Sequence, residues 1–221
     1  MEDDFLSNAL AGIEVPEGAS KVHGYTTEYL REHGCPADAG VNIIVSWVAD
    51  ALQEGVPLVG HNISYDLTVL DRECRRYGLP TLDERVSGFV GPVIDTYILS
   101  KLVDPYRRRV SPTQGAHQLK TCAQVFQVGW DDAEAHGARY DALAAARVAW
   151  RMGMIAHAPL ADRPRLSSSK SLFGFLAVDL SELHALQVEA KAIQDAKHAE
   201  YLRSQGKPEV VNRQWPVRSA A

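Results

Sequence analysis

Two stretches of this 221-residue chain combine residue types and spacings that suit metal-assisted chemistry at a phosphate. The first runs Gly60-His61-Asn62-Ile63-Ser64-Tyr65-Asp66, where a short apolar run gives way to a helical pattern. Asn62 and Asp66, at i and i+4, share one face of a helix, and both follow the carboxyl end of a strand, where α/β folds place their sites. That position leaves Asp66 free to bind a cation. The same pattern also describes an asparagine cap with an acidic first turn favoured by the helix dipole. The second stretch runs His136-Gly137-Ala138-Arg139-Tyr140-Asp141, just before an alanine-rich segment. A loop histidine and an aspartate in the first helical turn can meet at one phosphate, with the carboxylate on a metal and the imidazole taking a proton from the attacking water. Histidine suits that task because its unperturbed pKa of about 6.5 leaves it partly basic near neutrality. Alone, the stretch reads more simply as a surface histidine beside a dipole-favoured aspartate.

The elements that must position these residues follow from periodicity. Ile44, Trp47, Val48 and Ala51 fall at i, i+3, i+4 and i+7, so residues 41–54 form an amphipathic helix stopped by Gly55. The apolar run 56–60 suits a buried strand. Asn62 caps the next helix, whose apolar face is Leu67, Leu70, Cys74 and Tyr77, and Gly78 with Pro80 ends it. A second strand at 92–96 continues into a helix through Tyr97, Ile98, Leu99 and Leu102. Prolines, a glycine and the run Arg107-Arg108-Arg109 make 104–116 an exposed loop, with the arginines either solvated or touching a nucleic-acid backbone. Leu119, Cys122, Ala123 and Phe126 give another helical stripe. The segment 141–154 has the highest helix propensity in the chain. Helices alternating with short apolar strands indicate an α/β layered domain.

After His157 the composition changes. Pro159, Pro164 and Ser167-Ser168-Ser169 make a linker, and apolar 172–178 docks on the main body. Asp179 caps a helix reaching about residue 204, with Leu183, Leu186, Ala190, Ile193 and Lys197 as its stripe. Trp215 is a candidate aromatic anchor. The expected division is a main domain 1–157, a linker and docking segment 158–178, and a C-terminal helix and tail 179–221.

No run approaches the roughly 18 apolar residues of a membrane span, and Met1-Glu2-Asp3-Asp4 has the wrong charge for a signal peptide. Cys35, Cys74 and Cys122 are odd in number and widely spaced, so they read as reduced thiols of a soluble cytoplasmic protein. The net charge of −5 argues against a protein that coats nucleic acid nonspecifically. It does not exclude a nuclease, because bound cations supply the positive charge that a phosphate meets.

Taken together, strand, Asn-x-x-x-Asp helix, second strand and helix, then His-x-x-x-x-Asp opening a last helix, the chain resembles the DEDDh-type 3′-to-5′ exonucleases, the DnaQ-like proofreading family. Val15-Pro16-Glu17-Gly18-Ala19 and Val22-His23-Gly24-Tyr25-Thr26 are similar to the segment between that family's first two motifs. The extension from Asp179 looks like that of DNA polymerase III epsilon-like exonucleases. The resemblance implies a ribonuclease H-like α/β fold and release of nucleoside monophosphates from the 3′ end of single-stranded DNA or RNA. It also implies two Mg²⁺ or Mn²⁺ ions and an association with a DNA polymerase subunit, with no membrane role. By position, Asp66 and Asp141 match two of the four metal-binding carboxylates and His136 the general base. Asn62 matches the polar residue beside the second-motif aspartate, His23 a position near the nucleotide pocket, and Asp95 a recurring structural position.

One motif of that pattern is absent. The family's Asp-x-Glu ends a leading hydrophobic strand, and neither the motif nor the strand occurs among Met1 to Lys21. The first strands of the sheet are therefore expected to be missing as well. Two carboxylates hold one divalent ion weakly and a second hardly at all, because in-line displacement with paired cations needs ligands that bridge them. The alternative function is accordingly an inactive module of the same fold that binds nucleic acid or a polymerase.

Overall fold

A computed structural model describes residues 14–135, 137–166, 173–207 and 214–218. The chain opens with three helices, α1 (Glu17–His23), α2 (Thr27–His33) and α3 (Ala37–Gln53). Strand β1 (Leu58–Gly60) leads into α4 (Ser64–Arg76) and a single turn, α5 (Leu82–Arg85). Strand β2 (Val93–Asp95) runs straight into α6 (Thr96–Val103), followed by α7 (Leu119–Val125) and the long α8 (Ala138–His157). A 3-10 turn at Phe173–Leu176 precedes α9 (Leu180–Ser204). Asp179 caps α9 by accepting from the Glu182 N–H at 2.9 Å, as its position predicts.

The architecture is α/β, mostly helical, around a parallel sheet that has two strands among the described residues. Leu58 pairs with Val93, Val59 with Ile94 and Gly60 with Asp95. Parallel strands need a crossover, and α4 with α5 supplies it. Successive side chains of β2 point to opposite faces, and each face meets its own core. Val93 joins the core formed with Val45, Ala49, Leu67, Cys74, Leu82 and Ile98. Ile94 packs instead on the core of Leu99, Val103, Cys122, Phe126, Val148, Met152 and Phe173. The sheet is thus a thin partition between two helical layers, which makes its alignment sensitive to whatever closes its edges.

Several sequence expectations shift in detail. The buried face of α3 is Val45, Ala49 and Leu52, whereas Ile44 and Trp47 face solvent, so the inward stripe lies about one residue round the helix from the expected one. Both faces of this helix carry apolar residues, and periodicity alone does not choose between them. On α9 the buried face comprises Leu183, His184, Gln187, Ala190 and Lys191, while Ile193 is exposed. The loop 104–116 is not wholly solvated: Arg107 and Asp104 form a buried ion pair, Nε to Oδ2 at 2.8 Å. Arg107 also donates to Ser100 Oγ at 2.9 Å, so it anchors the loop rather than offering its charge to a ligand. Among the described residues no helix is long and apolar enough to cross a membrane. Trp215 is buried, with its ring tilted by 40° against that of His184 at 5.0 Å between centroids, as an aromatic anchor would be.

Candidate functional site

The turn between β1 and α4 is built from buried tethers. His61 Nε2 lies 2.9 Å from the His117 carbonyl, and Nδ1 lies 2.9 Å from Thr96 Oγ1. A carbonyl can only accept, so the neutral ring carries its proton on Nε2, while Nδ1 faces the Thr96 hydroxyl, which also donates to the Gly60 carbonyl at 3.0 Å. Burial pulls the His61 pKa down to about 4 and outweighs the His117 carbonyl, which favours the charged form. His61 is therefore a neutral strut, a role that its place beside Asn62 in the sequence does not reveal.

Asn62 does not cap α4. It adopts a left-handed backbone, φ 61°, which asparagine tolerates better than most residues. Its N–H donates to Asp95 Oδ1 at 2.8 Å, and its carbonyl accepts the Tyr65 N–H at 2.9 Å. Because Asn62 lies outside the helix, it does not share a helical face with Asp66 as the i, i+4 spacing suggests. Asp95 also caps α6 through the Tyr97 N–H at 3.0 Å. Burial raises the Asp95 pKa, opposed first by the Asn62 and Tyr97 N–H donors. Its position between strand, turn and helix agrees with a structural part.

Asp66 follows in the first turn of α4, a solvent-exposed residue whose carboxyl is nonetheless shielded enough by burial to raise its pKa. Asp141 stands in the first turn of α8, and α8 packs against β1, the strand that feeds the Asp66 turn. The Asp141 Oδ1 atom is buried with no hydrogen-bond partner. A buried, unpartnered carboxylate oxygen is costly unless something else compensates it, and a hard divalent cation is the natural complement. This orphaned oxygen fits a metal ligand. Among the described residues, however, no three His, Cys, Asp or Glu side chains converge on a common point. The fit to a cation thus rests on the Asp141 oxygen and goes no further among the described residues.

His136 lies outside the described residues. His23 is the last residue of α1, exposed and stacked on Tyr25 at 5.5 Å, so it belongs to a helix end rather than to a loop. A second histidine missed in the sequence, His117, bonds Ser100 Oγ through Nδ1 at 3.0 Å, and burial holds its pKa at about 4. Together with Arg107 it pins the arginine-bearing loop to α6.

The model of a family described as Exonuclease, RNase_T, matches residues 5–149. The PolC-type DNA polymerase III of Lacticaseibacillus paracasei is 34% identical over 91 residues, which cover 38% of this chain and 5% of that protein. The corresponding protein of Ureaplasma parvum is 29% identical over 92 residues, covering 41% of this chain and 5% of its own length. The chain therefore spans about one-twentieth of the curated relatives it matches. No solved structure matches.

Proposed function

The chain belongs to the exonuclease family of DnaQ-like nucleases, and from that premise we propose that it is a metal-dependent 3′-to-5′ exonuclease domain acting on the end of a DNA strand. The observation that carries the reading is the unpartnered, buried Oδ1 of Asp141 at the start of α8, on a helix that packs on the strand leading to Asp66. Asp66 and Asp141 would hold the cation, Mg²⁺ or Mn²⁺, whose carboxylate-rich preference suits them. When bound, the cation supplies Lewis acidity at the scissile phosphate. His136 takes the proton of the attacking water as the new P–O bond forms and the bond to the 3′-oxygen breaks, releasing a nucleoside 5′-monophosphate. Asn62 holds the turn that presents Asp66, and His23 lies toward the nucleotide in this reading. DNA is favoured over RNA as substrate because the relatives are DNA polymerases, which also suggests a polymerase as partner.

The test is Mg²⁺-dependent release of mononucleotides from a 3′-labelled oligonucleotide, run beside an Asp141→Ala variant. Release by the unaltered chain and its loss on substitution supports the reading; equal behaviour of the two proteins sinks it. A second reading, an inactive module that binds a nucleic-acid end or a polymerase, is favoured by the absence of a third converging ligand among the described residues. It predicts oligonucleotide binding without cleavage.

A further inference from the structure

The side chains of α9 complete the hydrogen bonding of β2 where another strand would otherwise lie. In the parallel pairing, Leu58 donates to the Pro92 carbonyl at 3.0 Å, so the backbone groups of Val93 and Asp95 face the opposite edge. Gln187, whose side chain is completely buried, bridges that edge. Its Oε1 accepts the Asp95 N–H at 2.6 Å, and its Nε2 donates to the Val93 carbonyl at 2.8 Å and to the Leu183 carbonyl at 3.0 Å. One turn earlier, His184 Nδ1 accepts the Val93 N–H at 3.1 Å. A carboxamide offers a donor and an acceptor in one plane, as a strand's peptide group does, so α9 can substitute for a strand without being one.

The contact does not end at the edge. The Asp95 N–H held by Gln187 belongs to the residue whose carboxylate receives the Asn62 N–H at 2.8 Å. Asn62 in turn ties its carbonyl to Tyr65, and Asp66 is the next residue. We propose that Gln187, which lies beyond the 5–149 segment matched by the family, is a positioning residue for Asp66, acting through Asp95 and the left-handed turn at Asn62. The inference deepens the exonuclease reading and rests on it for the importance of Asp66. The geometry of the relay stands without that reading.

The experiment compares the full chain with Gln187→Met and Gln187→Glu. Methionine keeps the volume and removes both hydrogen bonds to β2, whereas a buried, protonated glutamic acid keeps an acceptor for Asp95 and a donor for Val93. Residue-resolved amide exchange is measured beside a thermal melt for each protein. We expect Gln187→Met to speed exchange at Asn62 and Tyr65 at least tenfold beyond any change at Phe126 and Val148 in the other core, and Gln187→Glu to restore most of that protection. Unchanged exchange at Asn62 and Tyr65 overturns the proposal. So does a loss shared equally with Phe126 and Val148, since that reports general loosening. If Gln187→Met fails to fold, Gln187→Glu decides by the same comparison with wild type: Asn62 and Tyr65 near wild-type protection supports the relay, and protection lost there overturns it. A parallel Mn²⁺ titration of wild type and Asp141→Ala judges the exonuclease reading separately, because equal binding sinks that reading and leaves the amide result untouched.

Discussion

The outer edge of β2 is closed by Gln187 and His184, whereas Val59, the central residue of β1 whose backbone groups face the other edge, has no hydrogen-bond partner among the described residues. The two strands are equally short and directly paired, so strand sequence does not account for the contrast. What differs is the neighbour: β2 lies under the polar face of α9, while β1 is covered on its flank by α8. A buried edge needs donors and acceptors at strand spacing, and an apolar helix face cannot provide them. The consequence extends to the candidate site, because the sealed edge fixes Asp95, and Asp95 holds the turn that precedes Asp66.

The contrast is most readily broken at Gln187. Replacing it with leucine strands two buried backbone groups, Asp95 N–H and Val93 C=O, each costing about 1–3 kcal/mol, so a total loss of about 2–6 kcal/mol is expected in urea unfolding. A loss below about 1 kcal/mol would mean that the edge is satisfied by some other group.

Acidification loads both sides of the comparison and sharpens it. His61, just after β1, and His117 have folded pKa values near 4, well below the ordinary histidine value. A folded value below the unfolded one means that the unfolded chain binds protons first, so stability is complete above about pH 6.5 and declines as the pH falls from there toward 4. For His61 alone the decline between pH 7 and pH 5 is about 2 kcal/mol. Burial lowers the His184 pKa as well, and its protonation would remove the acceptor for Val93 N–H, so the sealed edge loosens in the same direction. Denaturant midpoints at pH 7 and pH 5 test this, with a His61→Gln variant expected to flatten the slope. A midpoint independent of pH across that interval would contradict the neutral-strut assignment.

The gentlest test alters no residue. The amide of Val59 should exchange at least tenfold faster than those of Val93 and Asp95, a difference of about 1.4 kcal/mol in local protection. Equal protection would show that the β1 edge is covered in solution and that the two edges are alike.

Much of the framework was legible before the fold. The strand at 56–60, the strand at 92–96, the cap at Asp179 and the two aspartates opening helices all correspond to observed elements. They could be read because caps, breakers and apolar runs act within a few residues. The polar face of α9 could not. Hydrophobic periodicity pointed to Ile193 and Lys197, yet the helix turns His184, Gln187 and Lys191 inward, since its neighbour is a strand edge that demands hydrogen bonds. Arg107 was similarly opaque, because an arginine run looks the same whether a buried aspartate waits nearby or not.

The sequence by itself determined where helices start and stop and that Asp66 and Asp141 each stand in a first turn, since those features depend on local propensity and on the helix dipole. Only the tertiary structure decided which face of α3 and α9 turned inward, that Asn62 became a left-handed hinge instead of a cap, and that a glutamine far along the chain bonds the strand beside it. Such pairings depend on partners separated by more than ninety residues, whose meeting is set by packing and by the need to satisfy buried polar groups.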